Sequence, residues 1–262
     1  MKRRLDQELV RRKLVTTRSQ AESYIKLGDV RVGREVVTKP GFFVAETDAI
    51  VVTAPARYVS RAGLKLASVA ETLQLDFRGK MVLDVGSSTG GFTDFALQHG
   101  ATKVIAVDVG TNQLHPSLRD NPKVELHEQT DIRSLWLDQR ESRSMSQASS
   151  RGKLKEKSIF IESPDIVVID VSFVSLRDIL PHVSCLLTPD SIVVAMVKPQ
   201  FEAGQDNLKH KGVVKNEKMR RDVLKSFEAW ARRLFVIINK ADSRVSGAKG
   251  NQERFYLLKK SS

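Results

Sequence analysis

One cysteine is present in 262 residues. Cys185, in PHVSCLL, has no partner within the chain, so an intrachain disulfide is excluded. A cysteine-rich zinc site is excluded with it, and the five histidines show no ligand spacing. The apolar setting makes Cys185 a small buried residue rather than a nucleophile. Long apolar runs are also missing. None approaches the ~20 residues needed to span a bilayer, and the opening MKRRLDQELV carries charge but no apolar signal core. A cytosolic protein is the expectation. Acidic residues are scarce, with 31 against 43 basic ones, for a formal net charge of +12 and a pI of about 9.9. That excess favours an acidic polymer as partner, with nucleic acid the first candidate. Length and a 41% hydrophobic fraction suit one sizeable domain plus a small one.

What is there divides at about residue 53. In RLDQELVRR, Leu5, Leu9 and Val10 gather on one side of a short helix. SQAESYIKLG makes a second helix. Ser19 and Glu22 have capping-box spacing, and Gly28 stands where that helix should stop. DVRVGREVV reads as a hairpin about Gly33-Arg34, Lys39-Pro40-Gly41 as a turn, and AIVV as a closing strand. Basic residues crowd this unit: Lys2, Arg3, Arg4, Arg11, Arg12, Lys13, Arg18, Lys26, Arg31 and Arg34. A charge run is ordinarily a solvated face, but its concentration on one small helix-helix-hairpin unit points towards a binding surface. The stretch from Arg4 to Val37 resembles the RNA-binding domain of ribosomal protein S4 and its relatives. The resemblance implies a basic surface on two helices and a turn that docks on folded RNA, with phosphate contacts supplying affinity.

A linker over residues 54–60 follows, within TAPARYVSRAG, and residues 61–262 form the second domain. Leu66, Val69, Ala70 and Leu73 mark an amphipathic helix. MVLDVG, KVIAVDVG, KVELHEQ, DIVVIDV, SIVVAMV, FVIINKAD and RFYLLKK read as strands. GGFTDFALQHG, VSLRDILPHVSCLL (weakened by Pro181) and NEKMRRDVLKSFEAWARRL read as helices between them. Near-continuous apolar strands alternating with helices predict an α/β fold, a mostly parallel sheet covered on both faces. The Ser-, Arg- and Lys-rich stretch 139–163 holds too little apolar content to fold alone and reads as a mobile surface loop.

The chemistry concentrates in LDVGSSTGGFTD, residues 83–94, a strand entering a glycine-rich turn and then a helix. Gly86, Gly90 and Gly91 remove side chains where a ligand would approach the backbone. The spacing is not the G-x-G-x-x-G of pyrophosphate-binding dehydrogenases. It is D-x-G-x-x-x-G-G, which resembles the first motif of Rossmann-like S-adenosylmethionine-dependent methyltransferases. That resemblance places Asp84 at the ammonium of the cofactor's amino-acid end. Asp108, at the end of the next strand, is where such folds bond the ribose hydroxyls. Asp131 is a candidate for the adenine amino group and equally for a helix cap.

Four more polar residues stand where such a sheet opens: Lys65, Asp170, Lys198 and Glu253. Singly each has a bland reading: surface residue, helix cap, snorkelling lysine, strand surface. Together, within YVSRAGLKL, DVSFVSL, MVKPQFE and SGAKGNQE, they resemble the Lys-Asp-Lys-Glu tetrad of FtsJ-type ribose 2′-O-methyltransferases. With the N-terminal unit attached, the chain is similar over nearly its full length to the TlyA (hemolysin-A-like) rRNA methyltransferases. The resemblance implies methyl transfer from S-adenosylmethionine to a ribose, of cytidine in that family, in the RNA of ribosomal subunits. Lys198 is then the residue that steers or deprotonates the hydroxyl, with Asp170 and Glu253 holding the two lysines. Two other readings compete: a non-catalytic RNA-binding or ribosome-assembly protein, disfavoured by all four tetrad residues, and a membrane-active hemolysin, disfavoured by the lack of a spanning segment. No membrane anchoring is expected.

Overall fold

The structure, a computed structural model, describes residues 2–15, 18–53, 58–137, 159–203, 214, 216–247 and 250–261. The first part of the expected linker, 54–57, and most of the polar stretch, 139–158, lie outside them.

The N-terminal unit runs β1 (Lys2–Arg4), α1 (Leu5–Arg11), α2 (Arg18–Leu27), β2 (Val30–Val32), β3 (Glu35–Val36), β4 (Phe43–Ala45) and β5 (Ile50–Val52). β2 sits between β3 and β5 in an antiparallel sheet, and β1 pairs antiparallel with β4. Three consecutive basic residues carry no alternation, so β1 is invisible to periodicity. The end of α2 is as the sequence predicts. Gly28 has φ +80°, its N–H bonds Ile25 O at 3.0 Å, and Asp29 N–H bonds Tyr24 O at 3.0 Å, which together satisfy two orphan carbonyls. Its start is different. The helix begins at Arg18, so Ser19 lies within the first turn rather than at the cap, and Glu22 instead lies 3.5 Å from Arg18.

The second domain continues with α3 (Arg61–Ala70), β6 (Met81–Val85), α4 (Gly91–Gln98), β7 (Lys103–Val107), α5 (Pro116–Arg119), β8 (Val124–His127), β9 (Leu135–Leu137), β10 (Ile159–Ile161), β11 (Ile166–Ile169) and α6 (Leu176–Val183). Then come β12 (Ile192–Val197), α7 (Pro199–Glu202), α8 (Glu217–Ala231), β13 (Phe235–Asp242) and β14 (Arg254–Lys260). One sheet has the order β13-β14-β12-β11-β6-β7-β8. Strands β12 to β8 are mutually parallel, and β14 inserts antiparallel between β12 and β13.

Alternation along these strands divides the core. Val82, Val104, Val168 and Met196 face α3, α4 and the N-terminal unit, while Leu83, Ile105, Val167 and Ala195 face α6 and α8. Burial on both faces is why the strands are almost wholly apolar. The chain leaves β6 for β7 on one side and returns through β11 on the other. The carboxyl ends of β6 and β11 therefore border the crevice where such sheets bind ligands.

Two expectations are corrected. Ile159 to Ile161 pair in parallel with Leu135 to Leu137, so the polar stretch ends at a strand and does not run to residue 163. Cys185 is exposed. Pro181 lies inside α6, and the chain passes into a 3-10 turn over Ser184–Leu186, which buries Leu186 and turns Cys185 outward.

Candidate active site

Asp84 lies on β6, one residue before its end, and is fully buried. Thr93 Oγ1 donates to its Oδ2 at 2.7 Å, while Oδ1 has no partner among the described residues. Burial, with a smaller contribution from Asp170, pushes its carboxyl up to about 7. An unpartnered buried carboxylate oxygen is costly unless a ligand cation completes it.

Asp84 lines a cavity of about 140 Å³ together with Gly86, Ser87, Thr89, Asp170, Ser172 and Lys198. A second cavity, about 520 Å³, shares Gly86, Ser88, Asp170 and Ser172 with it and extends to Asp108, Asp131 and Ile132. Asp108 is anchored by Ser88 N at 2.8 Å and Gly110 N at 2.7 Å. Asp131 caps a 3-10 turn through Arg133 N at 2.9 Å, and hydrogen bonds from the Arg133 guanidinium hold its carboxyl below the usual range. It is both a cap and part of the cavity wall.

The glycines separate. Gly86 lines both cavities, and a Cβ there would lie 2.7 Å from Asp170 O, so the turn after β6 can close on the exit of β11 only without a side chain. Gly90 and Gly91 are also required by packing. A Cβ on Gly90 would lie 2.4 Å from Leu118 Cδ1, and one on Gly91 2.3 Å from Ser60 Oγ. They let α4 pack, and they border neither cavity.

The four tetrad candidates form two ion pairs. Lys198 Nζ is 2.6 Å from Asp170 Oδ1, and Lys65 Nζ is 2.6 Å from Glu253 Oε2. All four side chains are at most 16% exposed. Strand register brings the pairs together: Val197 is opposite Arg254, so Lys198 and Glu253 leave the sheet side by side. Lys65 and Glu253 border neither cavity.

Three residues at this edge were not singled out from the sequence. Ser172 accepts a hydrogen bond from Lys198 Nζ at 2.7 Å. Phe173, with φ +66° and 92% of its surface exposed, stands at the mouth of the larger cavity, 5.3 Å from the Phe201 ring. Glu202, the last residue of MVKPQFE, accepts from Ser175 Oγ and Leu176 N, both at 2.7 Å. It thereby ties α7, which begins right after Lys198, to the start of α6. Pro199 occupies the first position of α7, where its missing N–H costs nothing. Only the position of Ser172 and Phe173 right after Asp170 could have marked them in advance.

In the N-terminal unit the basic candidates also divide. Arg4 and Arg18 bond the buried Asp6; Arg11 and Arg12 bond the buried Glu8. Arg12 also bonds the carbonyls of Ala45, Glu46 and Asp48, so it serves as a staple. Lys26 donates to Ser246 Oγ at 2.8 Å, at the junction with the second domain. Arg3 lies 4.0 Å from Glu8. Lys13, Arg31 and Arg34 are exposed and have no ion pair among the described residues. No helix among the described residues is long and apolar enough to cross a membrane.

Residues 58–260 match the FtsJ-like methyltransferase family and residues 3–50 the S4 domain. The chain is 39% identical over 254 residues to YqxC of Bacillus subtilis (strain 168), covering 96% of this chain and 84% of that one. It is 35% identical over 262 residues to the 16S/23S rRNA (cytidine-2′-O)-methyltransferase TlyA of Mycobacterium tuberculosis (strain ATCC 25618 / H37Rv), covering 98% and 89%. A solved structure of a Streptococcus thermophilus protein superposes with a TM-score of 0.68 at 34% identity, covering 100% of this chain and 89% of that one. The chain belongs to the FtsJ-like methyltransferase family, and within it to the TlyA group, with an S4 domain ahead of the methyltransferase domain.

Proposed function

We propose that this protein transfers the methyl group of S-adenosylmethionine to the 2′-hydroxyl of a cytidine ribose in ribosomal RNA. One observation carries the reading. The buried Lys198–Asp170 pair lines the same small cavity as Asp84, whose Oδ1 has no partner among the described residues. A cation-completing carboxylate and a hydroxyl-directing lysine therefore face one space. The residues present fit the cofactor: Asp84 would take its ammonium, Asp108 its ribose hydroxyls, and the apolar Val109 and Ile132 would flank its base, with Asp131 at the rim. When bound, the cofactor supplies an activated methyl on a sulfonium.

The chain's own task is to hold one oxygen in line and to manage one proton. Lys198 Nζ has three donors. One goes to Ser172 and the Asp170 carboxylate lies 2.6 Å away as an ion pair, which still leaves a donor for the ribose oxygen. In this reading Lys198 orients the hydroxyl and stabilises the negative charge that develops on it, while the proton leaves to solvent. Lys65 and Glu253 brace the same strand ends. Phe173 offers an exposed aromatic face on which the target base can stack once it leaves its helix. The S4 domain supplies the grip on RNA, with Lys13, Arg31 and Arg34 as its uncommitted cations.

Lys198→Ala tests the assignment. Methyl transfer to ribosomal subunits should fall by about 100-fold or more, while calorimetry shows S-adenosylmethionine binding within twofold of wild type. Transfer at the wild-type rate would remove Lys198 from the chemistry.

A further inference from the structure

The face of the sheet away from the N-terminal unit carries a second basic surface. α8 buries Arg220, Leu224, Phe227 and Ala231. Lys218, Arg221, Lys225 and Arg232 are all exposed. At 3.6 residues per turn these four fall within ~60° of arc, on an exposed flank centred ~120° from the buried side. None has an ion-pair partner among the described residues, although acids are close by on the same helix. Glu217 lies 3.8 Å from Arg220, and Glu228 takes Lys240 at 2.7 Å and the Tyr256 hydroxyl at 2.9 Å. Asp222 is exposed beside the stripe and pairs with nothing among the described residues. The acids are either committed elsewhere or left to solvent, and the cations stay open.

The stripe has a direction. α8 leads into β13, which runs parallel to β12, so the helix runs back the opposite way and its first turn stands at the edge where Lys198 ends β12. Two bonds fix that end. Val214 N donates to Asn251 Oδ1 at 3.0 Å, and Arg220 Nε to Gln252 O at 3.4 Å, both next to Glu253. Lys218 and Arg221 therefore begin at the rim of the site. Arg232 lies ~21 Å further on, at 1.5 Å rise per residue. The N-terminal unit packs on the opposite face of the sheet, through α2 against α3 and Lys26 against Ser246.

We propose that the outer face of α8 is a second RNA-binding surface. It takes the backbone phosphates of the strand that leaves the active site on the side away from the S4 domain. The proposal rests on the reading of this protein as an rRNA methyltransferase. Exposed Lys and Arg without an aromatic among them suit phosphates rather than bases, so this surface positions the RNA without reading its sequence. RNA gripped on both faces of the sheet is drawn over the catalytic edge between them.

The test compares two triple variants of the full chain. One is Lys218→Gln, Arg221→Gln and Lys225→Gln; the control, of equal charge change, is Arg78→Gln, Lys80→Gln and Lys123→Gln at the opposite edge of the sheet. Binding to deproteinised ribosomal RNA is measured across a salt series, alongside methylation of ribosomal subunits. The α8 triple should lower the slope of log affinity against log salt by about 2, at ~0.7–0.9 per phosphate contact. It should raise KM for subunits about tenfold with kcat unchanged, and the control should do neither. Equal losses in both triples would reduce the effect to net charge and overturn the proposal. So would a loss seen with intact subunits but not with naked RNA, which would assign the face to a ribosomal protein. The binding arm needs no catalysis, so it decides α8 separately from the assignment of the reaction.

Discussion

Asp6 and Glu8 in the S4 domain and Asp84 in the methyltransferase domain are each no more than 1% exposed, yet their surroundings differ. Asp6 takes Arg4 on both oxygens at 3.0 Å and Arg18 at 2.9 Å. Glu8 takes Arg11 on both oxygens at 2.8 and 2.7 Å and Arg12 at 2.8 Å, and these bonds hold its carboxyl at about 2. Asp84 has one hydroxyl partner, one open oxygen and a carboxyl pushed up to about 7 by burial. Asp6 and Glu8 are saturated by arginine; Asp84 is left incomplete, as its proposed place at a ligand cation requires. The saturation has a consequence for RNA binding, because four of the arginines that look available in the sequence are committed inside the S4 domain.

Swapping the charges tests the contrast most strongly. Asp84→Asn should weaken S-adenosylmethionine binding by about 2–4 kcal/mol, the range for removing one partner of a buried charge pair. The melting temperature of the ligand-free protein should stay the same or rise, since an uncompensated buried charge is removed. Glu8→Gln should do the reverse, costing about 2 kcal/mol of stability by removing the charge that Arg11 and Arg12 bond, while Arg11 keeps Glu46 and Arg12 keeps its backbone carbonyls, and sparing cofactor affinity. Equal melting temperatures in Glu8→Gln and wild type would break the comparison.

A pH series gives the next largest effect. The folded-state pKa of Asp84 is raised, so its contribution to ligand-free stability is present at low pH and lost as pH rises through about 7. A cationic ligand needs the ionised form. Affinity for S-adenosylmethionine should therefore be flat above pH 7 and fall by up to ~10-fold per unit below it, with proton release seen by calorimetry in two buffers. Glu8 has the opposite sign: its contribution is present above the ordinary carboxylate range and fades only as pH falls towards about 2. A flat affinity profile from pH 6 to 8 would mean that Asp84 does not meet the ammonium. The smallest effect is expected at Ser172. Ser172→Ala should lower kcat by roughly fivefold, the worth of about 1 kcal/mol for one hydrogen bond, with KM unchanged and partial rescue by Ser172→Thr. A rate equal to wild type would show that Asp170 alone holds Lys198.

Much of the site was legible because it is written at strand ends. Asp84, Asp108, Asp170 and Lys198 each close an apolar run, and in a parallel sheet such positions share one edge. Ser172, Phe173 and Glu202 escaped because nothing local distinguishes them from ordinary loop and helix residues. Ser172 matters only because Lys198 reaches it across the gap between β11 and β12, and Glu202 only because α7 folds back on α6. The packing need at Gly90 and Gly91 escaped as well, because their Cβ positions are filled by Leu118 and Ser60, contacts made across the fold. Cys185 turned outward for a similar reason, since a 3-10 turn following Pro181 breaks the helical period that would have buried it.

The amino-acid sequence by itself determined the α/β alternation, the two domains and the residue types at the sheet's open edge, because these follow from local hydrophobic period and from side chains beside the strand ends. Tertiary structure alone decided which charges are open and which are spent. Lys198 and Lys65 each found a carboxylate, four arginines from Arg4 to Arg18 closed on Asp6 and Glu8, and among the described residues Asp84 Oδ1 was left without a partner and the basic stripe of α8 without an ion pair. Pairing depends on distances between residues far apart in the chain, and those exist only once the sheet and its helices have packed.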